Sequence, residues 1–213
     1  MKRFAIFLTV VLAYNITYAK DYRSIPKFTE FNIPHVGNYG PGCRIRFLIP
    51  KGSVANVYYG PEEQLGNGGL SVLGMPYQSD SSLLGFNCYR ADTPRVKAGW
   101  AIPKPGGGWQ PNKNSSIAEL IPSKAFHFYD LVAINSQGWA LTIDDTFGDE
   151  RFRRRQLSYC LIYEAKAICG QNFMGSLWDI QRDKRADLTP YALKVLRSIE
   201  FLEDAPPPAL DKP

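Results

Sequence analysis

The four cysteines of this chain constrain its fold more than any other feature of the sequence. In an exported protein, an even number of cysteines is typical of disulfides, and four of them allow three pairings. Zinc binding is the alternative, but no Cys-x-x-Cys motif is present and the two histidines are far apart in the sequence. We therefore predict two structural disulfides and no metal site. The cysteines are Cys43, Cys88, Cys160 and Cys169, and the histidines are His35 and His127.

Two of the cysteines are separated by a segment that can fold back on itself. A hairpin that turns at residues 164–165 places Cys160 directly opposite Cys169. Opposite positions on paired strands are close enough for a disulfide bond. We therefore predict that Cys160 pairs with Cys169, which leaves Cys43 to pair with Cys88.

The N-terminus is the reason to expect export to an oxidising compartment. Lys2 and Arg3 precede an apolar segment at residues 4–13, and Ala19 ends a cleavage motif of small residues. The apolar run is about half of the roughly 20 residues that a transmembrane helix needs. We predict that residues 1–19 form a cleavable signal peptide and that the mature protein is soluble and periplasmic or secreted.

The remainder of the chain is long enough to form one hydrophobic core. We predict a single α+β domain over residues 20–204 and a proline-rich, disordered tail over residues 205–213. The formal net charge is +5, and it falls to +3 when Lys2 and Arg3 are removed with the signal peptide. This small charge, without a long basic face, argues against nucleic-acid binding.

Alternating apolar and polar residues predict an antiparallel sheet of about eight strands. The clearest candidates are residues 43–50, 127–134 and 139–143, together with the two strands of the cysteine hairpin. Residues 188–199 predict an amphipathic C-terminal helix that packs on the sheet, with Thr189 as its cap. Further predictions are strands at 54–59, 83–89 and 96–102, irregular structure at 20–42, a loop at 65–70 and a short charged helix at 149–156.

The sequence contains no recognisable catalytic arrangement. The Gly-x-Ser-x-Gly motif of many serine hydrolases is absent. His127 lies between two phenylalanines on a predicted strand, and His35 lies in the irregular lead-in segment, so neither is predicted to be catalytic. Disulfide formation removes the thiols from consideration as nucleophiles. We predict no catalytic residue and no cofactor.

The acidic residues at 144–150 have three interpretations. The first is capping of the short helix by Asp145, and the others are calcium binding and contact with a partner. EF-hand spacing is absent, which favours capping. Four arginines, at 151 and 153–155, follow directly. This juxtaposition favours a self-paired surface, with a recognition surface as the alternative.

Aromatic residues in loops are the best candidates for binding. Trp109 lies in a Gly- and Pro-rich loop at 103–114, and Trp178 lies in a second loop at 175–187. Exposed aromatic residues with basic neighbours are typical of protein-binding hot spots, although burial against the core is the alternative. The predicted binding residues are Trp109, Trp178, Tyr59, Asp144 and Asp145.

The C-terminal third resembles a group of known exported proteins. The similar segments are residues 139–146, 153–161, 166–170 and 187–201. They resemble small exported proteobacterial proteins, some of them suspected immunity proteins against type VI secretion toxins. The closing helix also resembles the last helix of the Mog1/PsbP-like α/β sandwich.

The resemblance implies a periplasmic binding protein that neutralises a secreted toxin or enzyme through protein–protein contact. Such a protein needs a rigid scaffold and a contact surface but no catalytic residues. Two alternatives stay open at this point. One is a cell-envelope hydrolase with an unrecognised site, and the other is a module that binds a small ligand or a lipid.

Overall fold

Antiparallel strands make up most of the described part of the chain. The computed structural model describes residues 31–51, 53–58, 67–72, 82–93, 96 and 99–203. The predicted signal peptide, the predicted tail and Tyr59 lie outside these residues. In chain order the strands are β1 (Phe31–Asn38), β2 (Arg44–Pro50), β3 (Ser53–Tyr58), β4 (Asn67–Val72), β5 (Ser82–Arg90), β6 (Ala101–Pro103), β7 (Trp109–Pro111), β8 (Phe126–Val132), β9 (Gln137–Asp144), β10 (Arg154–Tyr163), β11 (Lys166–Ser176) and β12 (Glu200–Leu202), and the α-helices are α1 (Leu177–Arg182) and α2 (Thr189–Arg197).

These strands form three antiparallel sheets. The largest has seven strands in the order β3-β4-β5-β11-β10-β9-β8, the second has the order β1-β2-β12, and β6 and β7 form a ribbon. The prediction of a single sheet of about eight strands is therefore wrong. The predicted antiparallel pairing and C-terminal helix are confirmed, but the described residues are mostly β rather than α+β. Within them, no helix has the length and apolar character needed to cross a membrane.

Two strands form where the sequence predicted irregular structure. β1 lies within the predicted lead-in segment at 20–42 and pairs along the full length of β2. β4 occupies most of the glycine-rich stretch that was predicted to be a loop. Here Gly68 is required by tertiary packing, because a Cβ at this position would overlap the ring of Tyr39. A glycine that makes room for an aromatic ring looks like a loop glycine in the sequence.

Three other segments also differ from the predictions. Of the described residues in the strand predicted at 96–102, only residues 101–102 lie in a strand, β6, and the loop predicted at 175–187 contains α1. The helix predicted at 149–156 is a single 3-10 turn at Glu150–Phe152, after which the chain enters β10. Because β10 pairs with both β9 and β11, its non-local hydrogen bonds outweigh the local helical pattern.

Both predicted disulfides are present. Cys160 lies directly opposite Cys169 on β10 and β11, and the hairpin between them turns at residues 164–165 as predicted. Cys43, which directly precedes β2, is bonded to Cys88 on β5. The bond between Cys160 and Cys169 therefore lies within the seven-stranded sheet, whereas the bond between Cys43 and Cys88 joins this sheet to the sheet β1-β2-β12.

The seven-stranded sheet is covered on both faces, because successive side chains of a strand point to opposite sides. The helix face, which includes Leu161, packs against α2 and the sheet β1-β2-β12. The loop face, which includes Trp139, is covered by residues 99–125 together with Val96. Each face carries one of the disulfides. Cys88 belongs to the cluster on the helix face and Cys160 to the cluster on the loop face.

Candidate functional site

Exposed aromatic side chains gather at the end of the seven-stranded sheet where β9 and β11 end and β10 begins. Phe147 and Phe152 are 80% and 74% exposed, and Phe173 and Trp178 are 47% and 38% exposed. Large exposed apolar groups are normal when scattered, but a contiguous group of them marks an interaction surface. Phe147, Phe152, Phe173 and Trp178, together with Arg154 and Arg182, are called the aromatic–arginine patch below.

Contacts between neighbouring segments bring the patch together. Phe152, Phe173 and Arg154 line the same surface depression. α1, which carries Trp178, lies against the 3-10 turn that contains Phe152. The first amide of α1, at Leu177, donates a hydrogen bond of 2.9 Å to the carbonyl that precedes β10. The patch is therefore built from three chain segments that are fixed to one another.

Side chains of the loop between β9 and β10 hold its backbone in place. Asp145 Oδ1 accepts a hydrogen bond of 2.9 Å from the amide of Phe147. Asp149 Oδ1 accepts one of 3.0 Å from the amide of Arg151, which caps the 3-10 turn. The guanidinium of Arg153 donates to a backbone carbonyl of the loop at 2.9 Å. These bonds order the loop before any partner binds, which lowers the entropic cost of binding.

Arginine side chains lie over three of the exposed rings, and the longest of these contacts is 5.9 Å, from Arg151 to the ring centre of Phe152. The guanidinium carbon of Arg182 is 4.0 Å from the ring centre of Trp178, and that of Arg154 is 5.1 Å from the ring centre of Phe173. Cation–π contact fits these distances. Among the described residues, neither Arg154 nor Arg182 has a carboxylate within ion-pair distance. Their N–H groups can therefore donate to a partner's carboxylates.

Arg155 joins β10 to β9 and to the start of α2. Its Nε lies 2.6 Å from Asp144 Oδ1, and its Nη1 lies 2.7 Å from Asp187 Oδ2. The hydrogen bonds that Arg155 donates to Asp144 raise the pKa of Arg155 above its ordinary value, although partial burial opposes this. Asp187 also accepts a hydrogen bond from the amide of Thr189. Asp187 therefore satisfies the first amide of α2, whose N-cap is Leu188 and not the predicted Thr189.

The structure brings together only part of the predicted binding set. Trp178 lies in the patch, and Asp145 holds the backbone of the loop between β9 and β10, which carries part of the patch. Asp144 is held in the ion pair with Arg155, and Trp109 lies on β7, half-buried in the loop-face cluster. These binding roles stay predictions.

Sequence reasoning missed the three phenylalanines of the patch. Phe147 and Phe152 lie in a charged segment, and Phe173 lies on a strand between Asn172 and Met174. An isolated phenylalanine is buried more often than exposed, so its exposure cannot be inferred from its identity. The exposure of Phe152 could have been inferred from the charged sequence on both sides of it, because no apolar residue lies at helical or strand spacing from Phe152.

The acidic residues at 144–150 interact with arginines and backbone amides. In the described part of the chain, no three or more histidine, cysteine, aspartate or glutamate side chains are arranged to hold a metal ion. His127 is exposed on β8. His35 lies edge-on to the ring of Phe47, with 5.3 Å between ring centres, and burial lowers the pKa of His35.

No protein-family model matches the sequence, and no curated protein is significantly similar to it.

Proposed function

We propose that this is an exported binding protein that recognises another protein through the aromatic–arginine patch and inhibits it. The observation that carries the proposal is the exposure of Phe147, Phe152, Phe173 and Trp178 on one ordered surface. Tryptophan and arginine are enriched among the residues that dominate binding energy in protein interfaces. A small ligand would cover only part of such a surface, whereas a protein can cover all of it.

The charge of the patch indicates the chemistry of the partner. Arg154 and Arg182 stack on exposed rings, and neither has a carboxylate partner among the described residues. An arginine that is buried in an interface needs an acceptor, and carboxylates bind guanidinium groups with two parallel hydrogen bonds. We therefore expect a partner surface with an apolar depression that receives the phenylalanines and with acidic residues at its rim.

Two features of the sequence support inhibition of a toxin or enzyme as the more specific role. Arg154 lies in one of the segments that resemble suspected immunity proteins, and the other five residues of the patch lie between those segments. A disulfide-bonded scaffold suits a protein that acts outside the cytoplasm, and the periplasm is the proposed location. The Mog1/PsbP-like sandwich likewise stays a prediction.

A capture experiment with matched variants tests this proposal. The mature protein with a C-terminal tag is exported in its own host, and proteins that it retains from the periplasm and medium are identified by mass spectrometry. We expect one protein to be retained by the unmodified chain and by V132A, which removes an exposed aliphatic side chain at the opposite end of the sheet. The double variant F152A/R154A should lose it, with affinity reduced about 30-fold or more.

Inhibition is measured next with the purified partner. Its enzymatic activity or toxicity should fall when one equivalent of the unmodified protein is added, and F152A/R154A should not have this effect at the same concentration. Equal retention by the patch variant and V132A would contradict the patch as the interface. A partner that binds at the patch but keeps its full activity would contradict inhibition.

A further inference from the structure

A cavity of about 400 Å³ opens on the loop face of the seven-stranded sheet. This volume lies within the range of about 300–1,000 Å³ that is usual for small-ligand sites. The floor is formed by β5, β10 and β11 and includes the disulfide between Cys160 and Cys169, and Trp100 contributes from the covering segment. The cavity adjoins the surface depression of the aromatic–arginine patch along β10 and β11 but shares no lining residue with it, and the inference below does not rest on that patch.

The cavity wall combines aromatic rings with neutral polar groups. Three of its aromatic side chains are Tyr89, Trp100 and Trp139, and the polar ones include Asn87, Ser158 and Gln171. Of the described residues that line it, none carries a formal charge at neutral pH. A charged ligand would lose its hydration without gaining an opposite charge, which is strongly unfavourable. The ligand class that fits is therefore neutral.

The polar groups of the wall have hydrogen-bonding capacity to spare. The amide nitrogen of Asn87 makes only a long contact of 3.5 Å with the carbonyl of Cys169, and the side-chain oxygen of Gln171 accepts a similar one of 3.4 Å from Gln156. Ser158 Oγ is buried and has no hydrogen-bond partner among the described residues. Buried polar groups in native proteins are nearly always satisfied, so the buried hydroxyl of Ser158 is suited to a hydrogen bond with a guest.

We propose that this cavity binds a neutral saccharide unit. A pyranose ring has an apolar C–H face that stacks on an aromatic side chain such as Trp100, and its hydroxyl groups bond with amides such as Asn87 and Gln171. A lipid tail would fill the same volume but would leave these amides without partners, which is unfavourable. A saccharide contacts both kinds of side chain in the wall, because its apolar face stacks on the aromatic rings and its hydroxyl groups bond with the amides.

The binding test uses the purified mature protein with both disulfides intact. It is titrated with glucose, N-acetylglucosamine, cellobiose and N,N′-diacetylchitobiose, and binding is followed by tryptophan fluorescence and calorimetry. We expect at least one saccharide to give a saturable signal. Glucose 6-phosphate should bind at least about tenfold more weakly than glucose, because its charge has no counterpart in the wall.

Variants locate the signal within the protein. W100A should abolish saccharide binding, and Q171L should weaken it about tenfold. Q137L replaces an exposed glutamine on β9 away from the cavity and should bind as the unmodified protein does. Because Gln171 is itself exposed, Q171L tests the site even if W100A does not fold.

Three results would overturn the proposal. The first is the absence of saturable binding with every saccharide of the panel. The second is binding that Q171L leaves unchanged. The third is tighter binding of the neutral lipid analogue 1-decanol than of any saccharide, which would assign the cavity to a lipid.

Discussion

The two faces of the seven-stranded sheet are buried in different ways. On the helix face, Leu161, Ile45 and Leu196 are fully buried where two regular elements pack on the sheet. On the loop face, Trp100 and Trp109 are half-buried in a covering segment with little regular structure, and a cavity remains. Regular elements interdigitate closely, whereas an irregular segment leaves gaps. The comparison indicates that the helix face stabilises the fold and that the loop face leaves room for a ligand.

Removal of the disulfides provides the strongest test of this difference. The sequence separation is 45 residues for Cys43 and Cys88 but 9 for Cys160 and Cys169. In the chain-entropy model these bonds stabilise the fold by about 4 and about 3 kcal/mol, respectively. Urea unfolding of C43A/C88A and C160A/C169A measures both values. A larger loss for C160A/C169A would contradict the assignment of stability to the helix face.

Neighbouring residues of β10 compare the two faces within one strand. Leu161 is fully buried on the helix face, and Ile162 is half-buried against the loop-face cluster. We expect L161A to lower the free energy of unfolding by about 3 kcal/mol and I162A to lower it by about 1 kcal/mol. Urea unfolding followed by tryptophan fluorescence measures the difference. Equal losses would mean that the loop face is packed as closely as the helix face.

The ion pairs of Arg155 test the link between the strands and the start of α2. The variant R155M leaves Asp144 and Asp187 without their cation, and all three side chains are less than a fifth exposed. We expect the free energy of unfolding to fall by about 2 kcal/mol. R90M, which removes an exposed ion pair with Asp92, is the control and should unfold at the same urea concentration as the unmodified protein.

The smallest expected effect concerns protonation of His35, which lies on β1 in the sheet that packs on the helix face. Burial lowers the pKa of His35 below the ordinary value of 6.5, so the unfolded chain binds this proton more readily than the folded protein does. The stability that neutral His35 contributes is therefore complete above about pH 6.5 and is lost as the pH falls below that value. We expect H35Q to reduce the decline in stability between pH 7 and pH 5. An unchanged decline in this variant would exclude His35 as its source.

Local spacing explains the parts of the fold that could be predicted. The nine-residue separation of Cys160 and Cys169 defines a hairpin with few alternatives, and the alternation in β2 identifies a half-buried strand. Pro190 at the start of an amphipathic pattern similarly identifies α2. Each of these signals involves residues that are close in sequence, so no knowledge of distant contacts is needed.

The candidate site was less predictable, because exposure depends on distant segments. Trp178 was selected from its loop-like surroundings and lies in the patch. Phe173 was missed, since it faces solvent only because of the way in which β11 ends beside Arg154 and the 3-10 turn. The cavity on the loop face likewise depends on how Gly99 and Trp100 lie over β10 and β11, which are distant from them in the sequence.

The sequence by itself determined the disulfide pairing, the cysteine hairpin and the C-terminal helix, since each follows from steric limits or hydrophobic periodicity over short distances. Only the tertiary structure decided the division into three sheets, the strand β4 with Gly68 against Tyr39, the patch and the cavity. The physical reason is that strand pairing and side-chain exposure depend on contacts between distant segments. In this chain, such contacts outweigh local preference at β4 and β10, where glycine content or charge pattern favours a different conformation.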